Sequence, residues 1–273
     1  MLNATEFIYD GIPSSQYGLR IASFDDGNIQ ETPYLAPSVT AVKSKKSKRF
    51  FYAGVNYEDL PTYTFSVIRD NNLSNTDTII TDQQRREILG WLVGRKGFKD
   101  LIIKQNDRMM YLYKCIFSEA EIIYLNGYCV GFKITATFDS PFCYCQKTTN
   151  TKTSNGNAYM TVILDNSDTD LWDEYTYPMI KFKPSGYVDN DKTIVIYNET
   201  DDPNGERIFS FSEGALNEEV IVDNEKKIIT GVGANLDKFS KKWLRVRKGY
   251  NVVKVKIKGQ FEIITTNYMK MGF

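Results

Sequence analysis

Apolar and polar residues alternate along several stretches in the first half of the chain. The clearest alternation spans residues 128–138, and similar patterns occupy residues 62–68 and 109–117. In the first of these stretches, one face would carry Tyr128, Val130, Phe132, Ile134, Ala136 and Phe138. In the last, one face would carry Tyr111, Tyr113, Cys115 and Phe117. Alternation with a period of two residues is typical of a strand with one buried face, so we predict three strands here.

The start of the chain predicts a hairpin. Phe7 and Tyr9 precede Asp10-Gly11, a pair that readily adopts the positive φ angles of a tight turn. After a break at Gly18, residues 19–21 again have the pattern of a strand. We therefore expect short paired strands at this end of the chain.

One segment of the first half has helical rather than strand periodicity. The sequence Thr-Asp-Gln-Gln from Thr81 to Gln84 matches a capping box. Apolar residues follow at helical spacing, namely Ile88, Leu89, Trp91 and Leu92. We predict an amphipathic helix that ends with Gly97 in the left-handed conformation. The first half is thus predicted to be a β-rich domain with one helix, running to about Gln146.

Residues 147–157 interrupt all periodicity. The segment consists mainly of Thr, Asn, Ser and Lys and has no large apolar side chain before residue 158. It is either a linker or a long hairpin loop, and we favour a domain boundary here, which gives domains at 1–147 and 148–273. A chain of 273 residues is long enough for two domains with separate cores.

Beyond this segment, short apolar runs alternate with turn residues. The runs are Met160–Leu164, Thr193–Tyr197, Ile208–Phe211, Val220–Val222, Ile228–Thr230, Trp243–Val246, Val252–Ile257 and Phe261–Ile264. Asp223–Glu225 is predicted to be the turn between two of them. The spacing, without helix signals, predicts an antiparallel β-sandwich. Within it, Val253, Val255 and Ile257 would face inward and Lys254, Lys256 and Lys258 would face water.

Charge and hydropathy exclude several classes of function. Lys+Arg and Asp+Glu number 34 each, so the net charge is zero, whereas a general nucleic-acid binder carries a basic excess. A near-neutral surface suits a protein that associates. The sequence contains no run of 18 apolar residues, so it predicts no transmembrane helix. Glu6 and Asp10 stand where a signal peptide would be basic and then apolar, so we expect the chain to be made and kept in a cytoplasm.

The lack of histidine excludes many kinds of enzyme chemistry. The chain contains no histidine, which excludes Ser-His-Asp and Cys-His catalysis and histidine-bound zinc. No glycine-rich phosphate-binding motif is present. The cysteines lack the C-x-x-C spacing of zinc sites, and we favour buried free thiols over a metal site or a disulfide for Cys115, Cys129, Cys143 and Cys145. We expect no enzymatic activity, catalytic residue, metal ion or cofactor.

Two charged runs leave alternatives open. The basic run at residues 43–49 is either a solvated loop between strands or a contact with an acidic subunit or nucleic acid, and we favour the loop. The acidic run at residues 165–174 fails the EF-hand pattern, because Leu171 stands at the glycine position and Tyr177 at the final glutamate position. We favour a solvated acidic loop there over an irregular calcium site or a glycosidase pair of carboxylates.

Seven stretches point to a family when they are taken together, in order along the chain. They are Phe7–Ile21, Asp59–Phe65, Arg86–Leu92, Gly131–Phe142, Tyr177–Phe182, Val220–Asn224 and Lys248–Asn251. As a series they resemble the distal tail (Dit) family of long-tailed bacteriophages over nearly the whole chain. The basic run at residues 43–49 departs from the expected pattern, in which this connection would be richer in glycine.

The resemblance implies a fold and a function. It implies an N-terminal belt domain, a β-barrel or β-sandwich with one helix, followed by a β-sandwich similar to galectins or carbohydrate-binding modules. Such a protein would form a hexameric ring that joins the tail tube to the tail-tip or baseplate device for host attachment. It would lie in the virion after assembly in the host cytoplasm. Its partners would be further copies of itself and the tail tube, tape measure, tail-associated tip and receptor-binding proteins, with no membrane and no specific nucleic acid, although DNA could pass through the ring.

Two other classes of function remain as alternatives to a structural hub. In a carbohydrate-binding tail adhesin, exposed aromatic residues of the second half would stack on host cell-wall sugars, and the candidates are Trp172, Tyr175, Tyr177 and Tyr187. In a glycosidase, two carboxylates of the acidic run would flank a sugar. Clustering in sequence does not place the carboxylates in that geometry, so we favour the hub.

Overall fold

A computed structural model describes the chain at residues 4–22, 38–43, 45, 48–56, 60–70, 78–105, 111–145, 147–189, 191–212, 216–231 and 236–270. These residues form two compact units. The first runs to Tyr144 and also takes in Lys270, and the second comprises Cys145–Met269. The chain is mainly β, with one α-helix in the described ranges, as predicted. No helix there is both long enough and apolar enough to cross a lipid bilayer.

The first unit is an antiparallel sheet with one helix. Its elements are β1 (Ala4–Tyr9), β2 (Ile12–Pro13), a 3-10 turn (Ser14–Tyr17), β3 (Leu19–Ala22), β4 (Ser38–Lys43), β5 (Phe50–Asn56), β6 (Thr62–Arg69), α1 (Asp82–Leu92), β7 (Lys99–Gln105), β8 (Leu112–Leu125), β9 (Tyr128–Phe138) and β10 (Phe142–Tyr144). The main sheet has the strand order β2-β1-β7-β8-β9-β6-β3, and β10 pairs with β8. Strands β4 and β5 form a separate two-stranded sheet.

The patterns of the first half predict most of this unit correctly. Asp10 and Gly11, with φ of 51° and 77°, form the predicted turn between β1 and β2. The strand predicted at residues 62–68 is β6, and the one predicted at 128–138 is β9. The predicted faces of β9 are wrong at its start, because a bulge before Gly131 exposes Tyr128 and buries Cys129. The strand predicted from residue 109 begins at Leu112 as described, and residues 106–110 lie outside the described ranges.

The core of the first unit is an aromatic cluster that holds the helix against β1. The Trp91 ring stacks on Phe7 with ring centroids 5.7 Å apart and an interplanar angle of 4°. Its indole N–H donates to the Tyr9 carbonyl oxygen at 3.1 Å. Phe117 on β8 lies 4.6 Å from the Tyr9 ring and completes the cluster. Because the Trp91 N–H is bonded while its ring is buried, the residue fixes both the position and the rotation of the helix.

The predicted capping box of the helix is confirmed, but its predicted end is wrong. The Thr81 hydroxyl accepts from the Gln84 backbone N–H at 3.3 Å, and the Gln84 side chain accepts from the Thr81 N–H at 3.0 Å. The helix ends at Leu92, before Gly97, which does adopt a left-handed φ of 73° but does not cap the helix. Gly90 and Gly94 are poor helix formers, so the last turn ends earlier than the apolar pattern suggests.

The second unit contains the remaining strands. They are β11 (Thr148–Asn155), β12 (Met160–Asn166), β13 (Met179–Gly186), β14 (Lys192–Asn198), β15 (Phe209–Ser212), β16 (Val220–Asp223), β17 (Ile228–Gly231) and β18 (Gly249–Thr265), with a 3-10 turn at Leu236–Lys238. The last strand, β19 (Tyr268–Lys270), spans the boundary between the two units. The first part of β18 pairs with β12 and β14, and β15 follows β14. The later part of β18 pairs with β11 and β13, and β16 and β17 follow β13.

Strand β18 joins the two sheets of this predicted β-sandwich. Val253, Val255 and Ile257 from its first part and Phe261 and Ile263 from its later part are fully buried in one hydrophobic cluster. The inward and outward positions predicted for residues 253–258 are therefore confirmed. The sequence pattern is wrong in one respect, because Val252–Ile257 and Phe261–Ile264 belong to one strand. The bend that lets one strand serve both sheets lies at Gly259, with φ of 137°.

Two other predictions in the second half are corrected. Residues 147–157 are not a linker or loop, because Thr148–Asn155 pairs along its whole length with β18. This edge strand is largely exposed on both faces, so it shows no apolar alternation. The run at residues 243–246 is not a strand. Its Leu244 N–H donates to the Asn224 side chain rather than to a neighbouring strand, and only Val246 forms an isolated bridge, with Thr176.

Candidate assembly surfaces

The β4–β5 hairpin stands apart from the main sheet of the first unit. Its register runs from Ser38 opposite Asn56 to Lys43 opposite Phe50, with a bulge after Thr40. Among the described residues, these two strands pair only with each other. An isolated two-stranded hairpin is only marginally stable in water. The hairpin therefore needs a further contact to be well ordered.

Both faces of this hairpin carry exposed apolar side chains, and one face carries the larger set. Cross-strand pairing places Val39, Ala41, Phe50 and Tyr52 on the same side, and we call these four residues the arm face. Val39 and Phe50 are each 66% exposed and Tyr52 is 69% exposed. Large apolar side chains that are contiguous and exposed mark interaction sites. The arm face is thus the strongest candidate for a protein contact in the first unit.

The turn of the hairpin carries the basic run. Lys43, Lys45, Lys48 and Arg49 are exposed, whereas residues 44, 46 and 47 lie outside the described ranges. The Lys43 ammonium group lies 5.3 Å from the centre of the Phe50 ring, within cation–π distance. The run therefore lies between two strands, as favoured from the sequence, but it also borders the arm face. The sequence signal that we missed is Phe50-Phe51-Tyr52, three large apolar residues directly after the cations.

A second apolar surface lies at the tip of the β8–β9 hairpin. Asn126 and Gly127, with φ of 49° and 83°, form the turn. The exposed fractions of the flanking Tyr124, Leu125 and Tyr128 are 55%, 62% and 57%, and we call these three residues the tip. Leu125 pairs with Tyr128 across the two-residue turn, so these two side chains share one face, whereas Tyr124 pairs with Cys129 and lies on the other face. The tip is therefore a tight turn with exposed apolar side chains on both of its faces.

In the second unit, the predicted acidic loop is held firmly at several points. The buried Asn166 side chain donates to the Thr176 hydroxyl and to the Arg247 carbonyl oxygen, both at 3.0 Å. The buried Thr169 hydroxyl donates to the Tyr268 carbonyl oxygen at 3.1 Å. Trp172 lies on this loop and is 74% exposed, with the Lys248 ammonium group 4.2 Å from its ring centre. The loop is solvated but ordered by its own hydrogen bonds.

A buried carboxylate organises the residues beside this loop. Asp201 forms ion pairs with the Arg245 guanidinium at 2.7 Å and the Arg247 guanidinium at 2.8 Å. The Tyr175 ring packs under Arg245, with 3.8 Å between the guanidinium carbon and the ring centre. Burial raises the pKa of Asp201, but the hydrogen bonds from Arg245 and Tyr175 and the two positive charges outweigh burial and lower it overall.

Replacing Asp201 by Asn is expected to destabilise the second unit by about 1–3 kcal/mol, because two guanidinium groups lose their shared carboxylate. Both arginines retain some contact with water, so the cost stays below that of a fully buried pair. The lowered pKa sets the sign of the pH dependence. The carboxylate stabilises the fold above its ordinary pKa of 3.8, and this contribution is lost as the pH falls through the lower folded value.

Thermal unfolding of the full-length wild type and Asp201→Asn, measured at pH 7 and at steps below pH 3.8, checks this prediction. The difference between the two proteins should be largest at neutral pH and shrink towards acid. Arg207→Lys is a suitable control, because Arg207 meets Asp202 only through its backbone N–H. A difference that grows on acidification would contradict the assigned role of Asp201.

The four aromatic residues that were candidates for stacking on a sugar do not all lie on one surface. Tyr177 precedes β13 and Tyr187 follows it, so they lie at opposite ends of an eight-residue strand, roughly 25 Å apart. One face of the Tyr175 ring is covered by Arg245. In the described ranges, no group of three or more acidic or cysteine side chains is arranged to hold a metal ion. All four cysteines are free, and Cys115, Cys129 and Cys143 are buried.

Two antiparallel β units, one of them carrying an exposed apolar hairpin, define a β-rich structural protein whose surface is suited to assembly. Comparison with models of known protein families identifies the family of this chain. Residues 2–140 match the phage tail protein N-terminal domain, and residues 142–265 match the phage tail C-terminal domain. The chain therefore belongs to this family of phage tail proteins. No curated protein sequence matches it significantly.

The fold is similar to that of a solved phage protein. The Dit protein of phage SPP1, described as a paradigm of the hub adsorption apparatus in phages that infect Gram-positive bacteria, superposes with a TM-score of 0.63 at 13% identity. The match covers 96% of this chain and 98% of that one. A chain of the phage P2 baseplate in its activated conformation matches with a TM-score of 0.46 at 8% identity, over 95% and 97% of the two chains. The resemblance to the distal tail family is confirmed at the level of the fold.

Proposed function

We propose that this protein is the distal tail hub of its phage, a ring of six copies that joins the tail tube to the tail-tip or baseplate device for host attachment. The arm face carries the proposal, because its apolar side chains have no partner element in the described part of the chain. In a cyclic ring, each copy offers one surface to the next copy and a different surface to the previous one. The zero net charge favours such close packing of copies.

The ring would contact different tail proteins on its two sides. One side would meet the tail tube and tape measure proteins, and the other would meet the tail-associated tip protein and the receptor-binding proteins. DNA would pass through the lumen without sequence-specific contacts. The ring would be assembled in the host cytoplasm and remain in the virion, with a structural rather than an enzymatic role.

The alternative of a sugar-binding adhesin has less support. It would need several aromatic rings on one exposed surface, and Tyr177 and Tyr187 lie at opposite ends of β13. Tyr187 therefore cannot contribute to a surface that contains Tyr177, and one face of the Tyr175 ring is already covered by Arg245. The hub therefore explains more of the exposed apolar surface than the adhesin does.

Negative-stain electron microscopy of the purified protein, together with its mass by light scattering, tests the hub. We expect rings with a mass of about 188 kDa, six times the 31.4 kDa of the chain. The measurement should be repeated over a range of protein concentrations, because association depends on concentration. A protein that stays at 31.4 kDa at every concentration would contradict a ring that closes on its own.

A further inference from the structure

We propose that the tip of one copy is the surface that receives the arm face of the next copy. The inference rests on the proposed ring and names both sides of its interface. A ring of identical copies in a head-to-tail arrangement needs two different complementary surfaces on each chain. The arm face supplies one of these two surfaces, and a different surface of the first unit must supply the other.

Among the described residues of the first unit outside the β4–β5 hairpin, the tip places three large exposed apolar side chains around one turn. The other large exposed apolar residues described there are Leu60, Ile79, Val93 and Phe98. These are spread along the chain, whereas Tyr124, Leu125 and Tyr128 flank a single turn. The segment that carries Ile79 runs beside this hairpin, because the N–H of the following Ile80 donates to the Cys129 carbonyl oxygen at 2.8 Å. The tip thus offers aromatic and aliphatic side chains to an apolar partner.

Charge supports the same pairing. Beside the arm face, the exposed Lys43, Lys45, Lys48 and Arg49 form a strongly positive edge. On the strand that leads to the tip, Glu119 and Glu121 are exposed. The Glu121 carboxylate lies 3.9 Å from Lys133, and its side chain remains 72% exposed, so it retains capacity for another cation. An arm laid along the tip would bring opposite charges together and exclude the reverse orientation.

The paired strands of the tip also suit an acceptor. The turn at Asn126-Gly127 fixes the register, and the partner of Tyr124 across the hairpin is the buried Cys129. A surface that is already ordered loses little conformational entropy when it binds. The arm, whose two strands pair only with each other in the described part of the chain, would become ordered on the tip of its neighbour. Each contact would then stabilise one fixed and one adaptable element.

A mixing experiment with two variants of the full chain tests this pairing. The arm variant carries Phe50→Thr and Tyr52→Thr, and the tip variant carries Leu125→Thr and Tyr128→Thr, since Thr preserves strand propensity. Each variant alone should be monomeric by light scattering. Mixed together, they should form a complex of two chains, about 63 kDa or twice 31.4 kDa, and stop there. The reason is that the mixture contains one intact arm and one intact tip per pair.

The outcomes separate this inference from the proposed ring. If wild-type rings form and the tip variant still forms them, the tip is not the acceptor, although the hub proposal stands. If the wild type forms no ring, the hub proposal fails first. If the mixture stays monomeric although circular dichroism shows both variants folded, the pairing is also wrong.

Charge reversal provides a second test that does not depend on the apolar substitutions. Lys48→Glu with Arg49→Glu should weaken the ring, and so should Glu119→Lys with Glu121→Lys. Combining all four changes in one chain should restore a substantial part of the assembly, because the signs again match. Failure of the combined variant to recover any assembly, while each pair of changes weakens it, would overturn the inference.

Discussion

Replacing Phe50 and Tyr52 by Thr is expected to convert the proposed ring into monomers. Both side chains lie on the arm face and are exposed in the single chain, at 66% and 69%. Burying a large apolar side chain contributes about 1.5–3 kcal/mol, so two of them contribute roughly 3–6 kcal/mol to each interface. That corresponds to about two to four orders of magnitude in the association constant. Light scattering after size-exclusion chromatography measures the loss.

The matched control for this prediction lies on the same strand. Phe51 is between the two substituted residues in sequence, is 58% exposed, and points to the opposite face of the hairpin. Phe51→Thr should therefore retain the ring at a concentration where the double variant has lost it. Equal losses in both proteins would mean that the hairpin does not bind through one face. Intact rings in the double variant would remove the arm face from the interface altogether.

The sequence predicts those elements whose burial differs between their two faces. Strand β9 shows this best, because Phe132, Ile134 and Ala136 are fully buried and Lys133 between them is exposed. The helix is predicted for a similar reason, since the stripe of Ile88, Trp91 and Leu92 is buried. In these elements the core imposes a period, and the period is visible in the amino-acid types.

Elements without a one-sided core contact are not predictable in this way. Strand β11 has eight polar residues, and its only strand partner is β18, so nothing in its composition distinguishes it from a loop. Strand β4 is exposed along its entire length. The sequence indicates only the basic turn that follows this strand, because charged residues can be counted without knowing which residues pair. The arm face appears only once the register of β4 and β5 places its four residues on one side.

The continuity of β18 was missed for a different physical reason. A glycine inside an apolar pattern usually marks a turn, so Gly259 divides the pattern into two predicted strands. In the structure it instead lets the strand bend from one sheet to the other, with its backbone close to that of β13. A sequence pattern reports which residues are buried, but it does not report whether a glycine reverses the chain or bends it.

Replacing Gly259 by Ala is expected to destabilise the second unit by about 3–5 kcal/mol. An added Cβ would lie 2.2 Å from the Lys183 carbonyl oxygen and 3.1 Å from the Pro184 Cα, and φ at this residue is 137°. Backbone atoms cannot move aside cheaply, so the pairing of β18 with β13 would have to open. Hydrogen exchange of the full chain, followed by mass spectrometry, should show lost protection in β13 and β18 and unchanged protection in β9. Gly205→Ala is the matched control, because Gly205 has a φ of 67° but no atom within 4 Å of an added Cβ. It should cost only about 1 kcal/mol, and equal effects of the two substitutions would show that backbone strain alone, not the close approach of β13, makes glycine necessary at the bend.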